Sequence, residues 1–297
     1  MSKDTADKYV QIIQPREKQK KIDWQELYRF RELFGILVWR DIKVKYKQTA
    51  LGALWAIIVP FVHMLIFTVI FGNVAKLPTD GLHPQLFYYA GLLLWTYFAT
   101  AVSISGASLV NGKAFLTKIY FPRLIMPVSP TLSALVDFTI GFVILVAMLF
   151  YYEQAIDYTI IFLPFFVAIA VVSASGVGMI FASLNVKYRD VAFALPFIIQ
   201  IWMYGTVLVP FSKLPPAWGD FRYLYGLNPM SGAVEGFRWC LLHSNMLTTR
   251  MLDGKVVEIP VDPPLLLVTV STVSAAFLLW LGIKWFKKME STFADIV

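Results

Sequence analysis

Positive charge gathers in two short stretches of this 297-residue chain, and each offers a different chemistry. Arg40, Lys43, Lys45 and Lys47 crowd into one segment, a density of cations that can hold a phosphate through charge-assisted hydrogen bonds. The same charges also draw a helix toward anionic lipid at about 1 kcal/mol per basic residue, so a dedicated anion site and plain surface attraction both fit the spacing. The second stretch, Asn111-Gly-Lys-Ala-Phe-Leu-Thr-Lys-Ile-Tyr-Phe-Pro-Arg123, carries Lys113, Lys118 and Arg123 and no acid. At ~1.5 Å per residue it has room for about three helical turns, with Phe115, Leu116, Ile119 and Tyr120 interleaved among the charges. It reads as a surface helix pressing into a partner, or as a basic topological anchor.

Other chemistry is harder to find. Gly106 and Gly112-Lys113 approach the phosphate-cradling pattern G-x-x-x-x-G-K-[ST], but one residue too many separates the glycines. Ala114 also stands where the metal-binding hydroxyl belongs. The single cysteine, Cys240, excludes an intrachain disulfide and a cysteine-based metal site. His63, His83 and His243 have no metal-ligand spacing, and no metal site is expected. No Ser-His-Asp or paired-carboxylate set gathers on one side, so no catalytic residue is assigned. Asp137 stands inside an apolar run, where a carboxylate is costly unless paired or protonated. A proton relay would need further ionisable groups in the other runs. A structural interhelical hydrogen bond therefore fits Asp137 better, and a hydrogen-bonded structural role is expected of His63.

These residues must be positioned by membrane-spanning elements. The chain is 58% hydrophobic and 15% charged, where soluble domains carry nearer a quarter charged residues. Residues 1–21 form a solvated leader without a signal-type apolar core. From 22 to 50 the pattern predicts an amphipathic helix lying in the membrane interface, with Trp24, Leu27, Phe30, Phe34, Leu37 and Val38 on its apolar side and Arg29, Arg40, Lys43 and Lys47 opposite. Six spans follow in the 51–297 region, at about 51–71, 86–110, 124–152, 158–184, 191–211 and 263–283. Pro60 should bend the first, and small residues from Ser173 to Gly178 allow close helix approach in the fourth. Of the 26 Lys and Arg, 20 fall in segments this topology places inside and 6 outside, which puts both termini in the cytoplasm. The expected fold is an all-α polytopic membrane protein, with Asn111–Arg123 and Asn185–Asp190 as short cytoplasmic segments.

Residues 212–262 hold Pro215-Pro216, Asn228-Pro229 and an amphipathic piece from Met230 to Leu242. They are too aromatic for a solvated loop and predict re-entrant outer helices between spans five and six. Asp220, Arg222, Glu235 and Arg238 argue against their burial in hydrocarbon. Tyr88, Trp95 and Phe98 recur at helical spacing in span two, and Trp202 and Tyr204 lie mid-span in the fifth. Their flat faces with a polar edge suit sliding contact with sugar rings, and ordinary helix packing accounts for them equally.

The segment Trp39-Arg-Asp-Ile-Lys-Val-Lys-Tyr-Lys-Gln-Thr-Ala-Leu-Gly-Ala-Leu-Trp-Ala56 with Pro60 resembles the opening of type-2 ABC exporter permeases for polysaccharides, whose members export O-antigen, capsule and wall teichoic acid. Lys118-Ile-Tyr-Phe-Pro-Arg123, Tyr188-Arg-Asp190, Asn228-Pro-Met230 with Glu235-Gly-Phe-Arg238, and Phe293-Ala-Asp295 match the same family. The likeness runs from about residue 30 to the C-terminus, and its motifs are specific as a set.

The resemblance implies an inner-membrane permease that pairs with itself and sits on a separate ABC ATPase. The ATPase carries the ATP and magnesium, and this chain carries no cofactor of its own. It implies ATPase coupling through Asn111, Lys113, Lys118, Tyr120, Phe121, Pro122 and Arg123, then Tyr188, Arg189 and Asp190. Leu51 and Gly52, with Arg40, Lys43, Lys45 and Lys47, would form the gate for a lipid-linked pyrophosphate. The glycan would pass Tyr88, Trp95, Phe98, Trp202 and Tyr204, with membrane lipids as the other contact and no nucleic acid. The alternatives are a membrane-embedded glycosyl- or acyltransferase, and a proton-coupled transporter using Asp137.

Overall fold

The computed structural model describes residues 24–47, 54–118, 121–208, 210–214, 216–252 and 255–296. The leader 1–21, Leu51, Gly52 and Tyr120 lie outside the described residues. Ten α-helices follow one another among those described: α1 (Trp24–Arg29), α2 (Arg31–Lys47), α3 (Leu54–Phe67), α4 (Pro84–Asn111), α5 (Lys113–Lys118), α6 (Ile125–Tyr151), α7 (Leu163–Lys187), α8 (Val191–Val207), α9 (Pro229–Leu242) and α10 (Leu265–Ile296). A π-helical stretch carries α3 on to Val74, and a 3-10 turn, Tyr158–Phe162, leads into α7.

Five helical segments among the described residues are long and apolar enough to cross a membrane: Leu54–Val74, Pro84–Asn111, Ile125–Tyr151, Tyr158–Lys187 and Leu265–Glu290. α8 has the composition but only 17 residues. At ~1.5 Å per residue it reaches about 25 Å, short of the ~30 Å hydrocarbon core. The fifth span expected to run to Phe211 thus ends as a helix at Val207.

α4 is the centre of the bundle, with an unbroken buried run from Leu86 to Trp95. A helix apolar on every side needs neighbours on every side, and α3, α6, α7, α8 and α9 supply them. Small residues set the closest approach. A Cβ on Gly176 of α7 would stand 2.6 Å from the Leu279 nitrogen of α10, and one on Gly282 would stand 2.4 Å from the Gly176 oxygen. This is backbone against backbone, the close approach that small residues allow between α7 and α10. Asn185 of α7 donates to the Gly106 carbonyl of α4 at 3.0 Å, so the two helices finish side by side at what is here termed the lower end, with Asn111 and Lys187.

Part of the apolar side of α2 is covered by the bundle, because α2 runs along the first half of α6. Leu37 is buried in a cluster with Leu109, Phe121, Ile125, Met126 and Phe286, and Leu27, Phe30 and Phe34 pack against it. Further along, Asp41 meets Ser129, and Lys45 and Tyr46 meet Asp137. Part of the face assigned to lipid is thus used by the protein itself. The described residues are mostly helical, as expected of an all-α membrane protein, with one addition: Leu247–Leu252 and Lys255–Pro260 pair as a two-stranded antiparallel hairpin in register Leu252↔Lys255.

The segment after α8 turns back into the bundle. Its 3-10 stretch, Pro216–Leu227, leads to Ser271 and Ser274 of α10, whose hydroxyls donate to the carbonyls of Gly226 and Leu227. Asn228 then caps α9 by accepting from the Met230 amide. α9 returns to the upper end, where Gln154 bonds the Leu242 carbonyl. Almost every residue of α9 is buried, Glu235 and Arg238 included.

Candidate functional site

The helical wheel of α2 divides its cations. One side packs on α6. The other carries Ile36, Trp39, Arg40, Lys43, Val44 and Lys47 at i, i+3, i+4, i+7, i+8 and i+11, and these line an open groove of about 320 Å³. Ile36, Trp39 and Val44 are 63%, 64% and 66% exposed, too much for a core role. Lys43 and Lys47 make no ion pair among the described residues. A rim of cations over an apolar floor holding no acid can seat an anionic head with an apolar tail.

Arg40 and Lys45 are held differently. Arg40 chelates Asp41 Oδ1 through Nε at 3.0 Å and Nη2 at 2.7 Å, and its guanidinium carbon lies 5.1 Å from the Phe115 ring centre on α5. Lys45 turns away from the groove and pairs with Asp137 Oδ2, while the Tyr46 hydroxyl donates to Oδ1. Of the four cations grouped by the sequence, the structure brings Arg40, Lys43 and Lys47 together and sends Lys45 to α6. Asp137 has the interhelical partners expected of it. His63 makes no hydrogen bond among the described residues, contrary to expectation.

The Asn111–Arg123 stretch is also divided. α5 is six residues long, under two turns rather than three. Asn111, Lys113 and Phe115 are exposed. Phe121 is 5% exposed inside the lower cluster, and Arg123 Nη1 donates to the Glu290 carbonyl of α10 at 2.9 Å. Phe121 and Arg123 therefore anchor the segment to the bundle, with Pro122 between them half-buried. The Lys118 side chain and Tyr120 lie outside the described residues. The second segment presents Tyr188, Arg189 and Asp190 to solvent, with the Lys187 ammonium 5.0 Å from the Tyr188 ring centre. Both segments occupy the lower end, because Asn185 ties the end of α7 to α4.

The profile of the ABC-2 type transporter family matches residues 32–242, which takes in α2, both lower-end segments and α9. The chain belongs to that family. It is similar to the O-antigen export system permease protein RfbA of Myxococcus xanthus, 26% identical over 92% of this chain and 98% of that protein. A protein of the same name from Klebsiella pneumoniae is 24% identical over 91% of this chain and 98% of its own length. The polysialic acid transport protein KpsM of Escherichia coli is 22% identical over 66% of this chain and 76% of its own. With its apolar helices and this family, the chain is a multi-pass membrane protein.

Within this ABC-2 chain the aromatic residues assigned to a glycan path separate by burial. Tyr88, Trp95 and Phe98 are at most 2% exposed and belong to the core around α4. Trp202 closes on Trp95 and Phe98 with ring centres 6.0 and 5.1 Å away. Tyr204 is accessible, 44% exposed and stacked on Phe67. Helix packing accounts for the first four within one chain, and Tyr204 remains open to a ligand.

Arg238, one of the charges that argue against burying residues 212–262 in hydrocarbon, is fully buried within the protein. Its Nη1 meets Glu235 Oε1 at 2.9 Å, Nε the Phe87 carbonyl at 3.2 Å, and Nη2 the Val207 carbonyl at 2.8 Å. The guanidinium also lies 3.8 Å over the Phe87 ring, and Gly91 leaves it room. One side chain thus holds α9 to α4 and to the last turn of α8. The available signal was the Glu235/Arg238 pair at i, i+3 on a helix with no other charge. Nearby, Asp80 is 2% exposed and accepts from the Ser212 hydroxyl at 2.6 Å. Burial lifts its carboxyl above the usual range, opposed by Ser212, Lys213 and Arg238.

Proposed function

We propose that the chain is the permease subunit of an ATP-driven exporter of a lipid-linked polysaccharide such as O-antigen, in the inner membrane of a bacterium. Two copies form the channel, each crossing six times with α8 as the short fifth crossing, and both termini face the cytoplasm. A separate ABC ATPase binds ATP and magnesium and seats against the lower end, and this chain has no ATPase site of its own. The observation that carries the proposal is the company kept at that end. The amphiphilic groove of α2 lies against α5, on the same end as the exposed Tyr188–Asp190 knuckle. The distribution of Lys and Arg supports placing that end in the cytoplasm.

In this scheme Lys43 and Lys47 take the phosphates of the lipid carrier, Ile36, Trp39 and Val44 its chain, and Leu51-Gly52 gates the way into the channel. Asn111, Lys113 and Tyr188–Asp190 face the ATPase. The segment from Phe211 to Leu242 closes the outer side. The proton-coupled alternative is less supported, because Asp137 is engaged by Lys45 and Tyr46 rather than aligned with further carboxylates.

The test is reconstitution with and without the neighbouring ATPase subunit. The complex should hydrolyse ATP and the isolated chain should not. In cells, Lys43→Glu with Lys47→Glu should abolish glycan display while the protein still reaches the membrane. Robust hydrolysis by the isolated chain, or unchanged display in the double variant, would overturn the proposal.

A further inference from the structure

Arg40 differs from the other groove cations. Lys43 and Lys47 line the groove, whereas Arg40 lines it and also touches α5. Its guanidinium is held edge-on by Asp41 and lies over the Phe115 ring. The other Asp41 oxygen takes the Ser129 hydroxyl at 3.2 Å, which fixes the carboxylate against α6. The planar fork of Arg40 suits a phosphate as well as it suits a carboxylate. An anion seated beside Lys43 and Lys47 therefore competes with Asp41 for the same donors. Phe115 is 40% exposed and stands on a six-residue helix that Phe121 and Arg123, past its far end, tie to the bundle.

We propose that Arg40 is a positioning residue that reports occupancy of the α2 groove to α5, so that ATP hydrolysis by the partner subunit responds to a loaded lipid phosphate. This rests on the exporter function proposed above and deepens it. Empty, Arg40 is shared between Asp41 and Phe115. Loaded, its donors turn to the phosphate, its seat on the Phe115 ring is lost, and α5 is free to take another position against the ATPase. A ligand shifts such an equilibrium only through contacts that differ between the two states, and Arg40 is the contact that differs.

The test uses the full complex in phosphatidylcholine nanodiscs, with farnesyl pyrophosphate as the probe and inorganic pyrophosphate as the head without a chain. Binding is measured directly, and the ATPase rate is taken as the ratio with and without saturating probe. The wild-type ratio should rise above one. Phe115→Leu leaves every groove cation in place, and Arg40→Lys keeps the charge without the planar fork. Phe115→Leu should bind the probe within about threefold of wild type yet show no rise in the ratio, whereas Arg40→Lys should bind more weakly and show no rise even at a saturating concentration of probe. Lys43→Gln with Lys47→Gln should bind about tenfold or more weakly but retain the full rise at saturation.

A wild-type complex that binds the probe without any rise, or Phe115→Leu and Arg40→Lys complexes that respond as wild type does, would overturn the inference and leave the exporter function standing. Equal stimulation by inorganic pyrophosphate would overturn the assignment to a lipid. A wild-type complex that neither binds the probe nor hydrolyses ATP would remove the functional proposal itself.

Discussion

Arg238→Met should be among the most damaging single substitutions in the chain, and its partner should partly rescue it. Methionine keeps the volume of the stem but strands Glu235, which is 5% exposed and, among the described residues, has only the distant Phe211 amide, at 3.4 Å, as a further donor. Removing one member of a buried ion pair costs about 3–5 kcal/mol, because the remaining charge is left in low dielectric. The Phe87 and Val207 carbonyls lose their donor as well, at roughly 1 kcal/mol or more each. A total of about 5 kcal/mol is a large share of a typical folding free energy. Glu235→Gln in the same chain removes the stranded charge and should return several kcal/mol, leaving mainly the two carbonyls. Denaturant unfolding in mixed micelles would rank wild type, the double variant and Arg238→Met in that order. If Arg238→Met lies within about 1 kcal/mol of wild type, or the double variant is no better than the single, the buried network is not what holds α9 in place.

Three further outcomes follow from particular contacts. Gly282→Ala should destabilise by about 1–3 kcal/mol, since the new Cβ meets the Gly176 carbonyl, whereas Gly205→Ala has open space and should be neutral or better; thermal unfolding in detergent compares them. Asp137→Asn removes the charge that Lys45 and Tyr46 converge on, about 1.5–3 kcal/mol of charge-assisted bonding, and should speed amide exchange across Arg31–Lys47. Asp80 has a raised folded pKa, so its contribution is fully present below the ordinary carboxylate value and fades as pH rises through the folded value. Acidifying from neutrality should therefore raise the protection of the Leu247 amide, which donates to the Asp80 carbonyl, beyond the intrinsic slowing of exchange, and Asp80→Asn should remove that pH dependence of the protection.

What the sequence showed and hid divides by physical cause. Long apolar runs are visible because the bilayer demands them, and helices stand where those runs stand. The stretch from Ser173 to Gly178 announced the close approach that α10 makes. Periodicity could not tell lipid from protein as the partner of an apolar face, and α6 covers part of the apolar face of α2. The charges of Glu235 and Arg238 spoke against hydrocarbon, but not for the protein interior that receives them, because Arg238 also depends on carbonyls of α4 and α8 far off in sequence. The hairpin had a local signal, Asp253-Gly254 between residues of high strand propensity, that was passed over in a chain read as helical throughout. At the lower end the clustering of cations was legible. Which of them Asp41, Asp137 and Glu290 would claim was not, since each claim is a tertiary contact.

The height of the bundle is uneven. α8 stops at Val207, and the Arg238 guanidinium meets its final carbonyl where a longer helix would have continued. Its neighbour α4 has 28 residues. The low-dielectric wall along α8 is accordingly only about 25 Å deep, several ångströms thinner than an ordinary bilayer interior. A hydrated molecule moving beside the exposed Phe193, Phe197 and Tyr204 would leave water over that shorter distance.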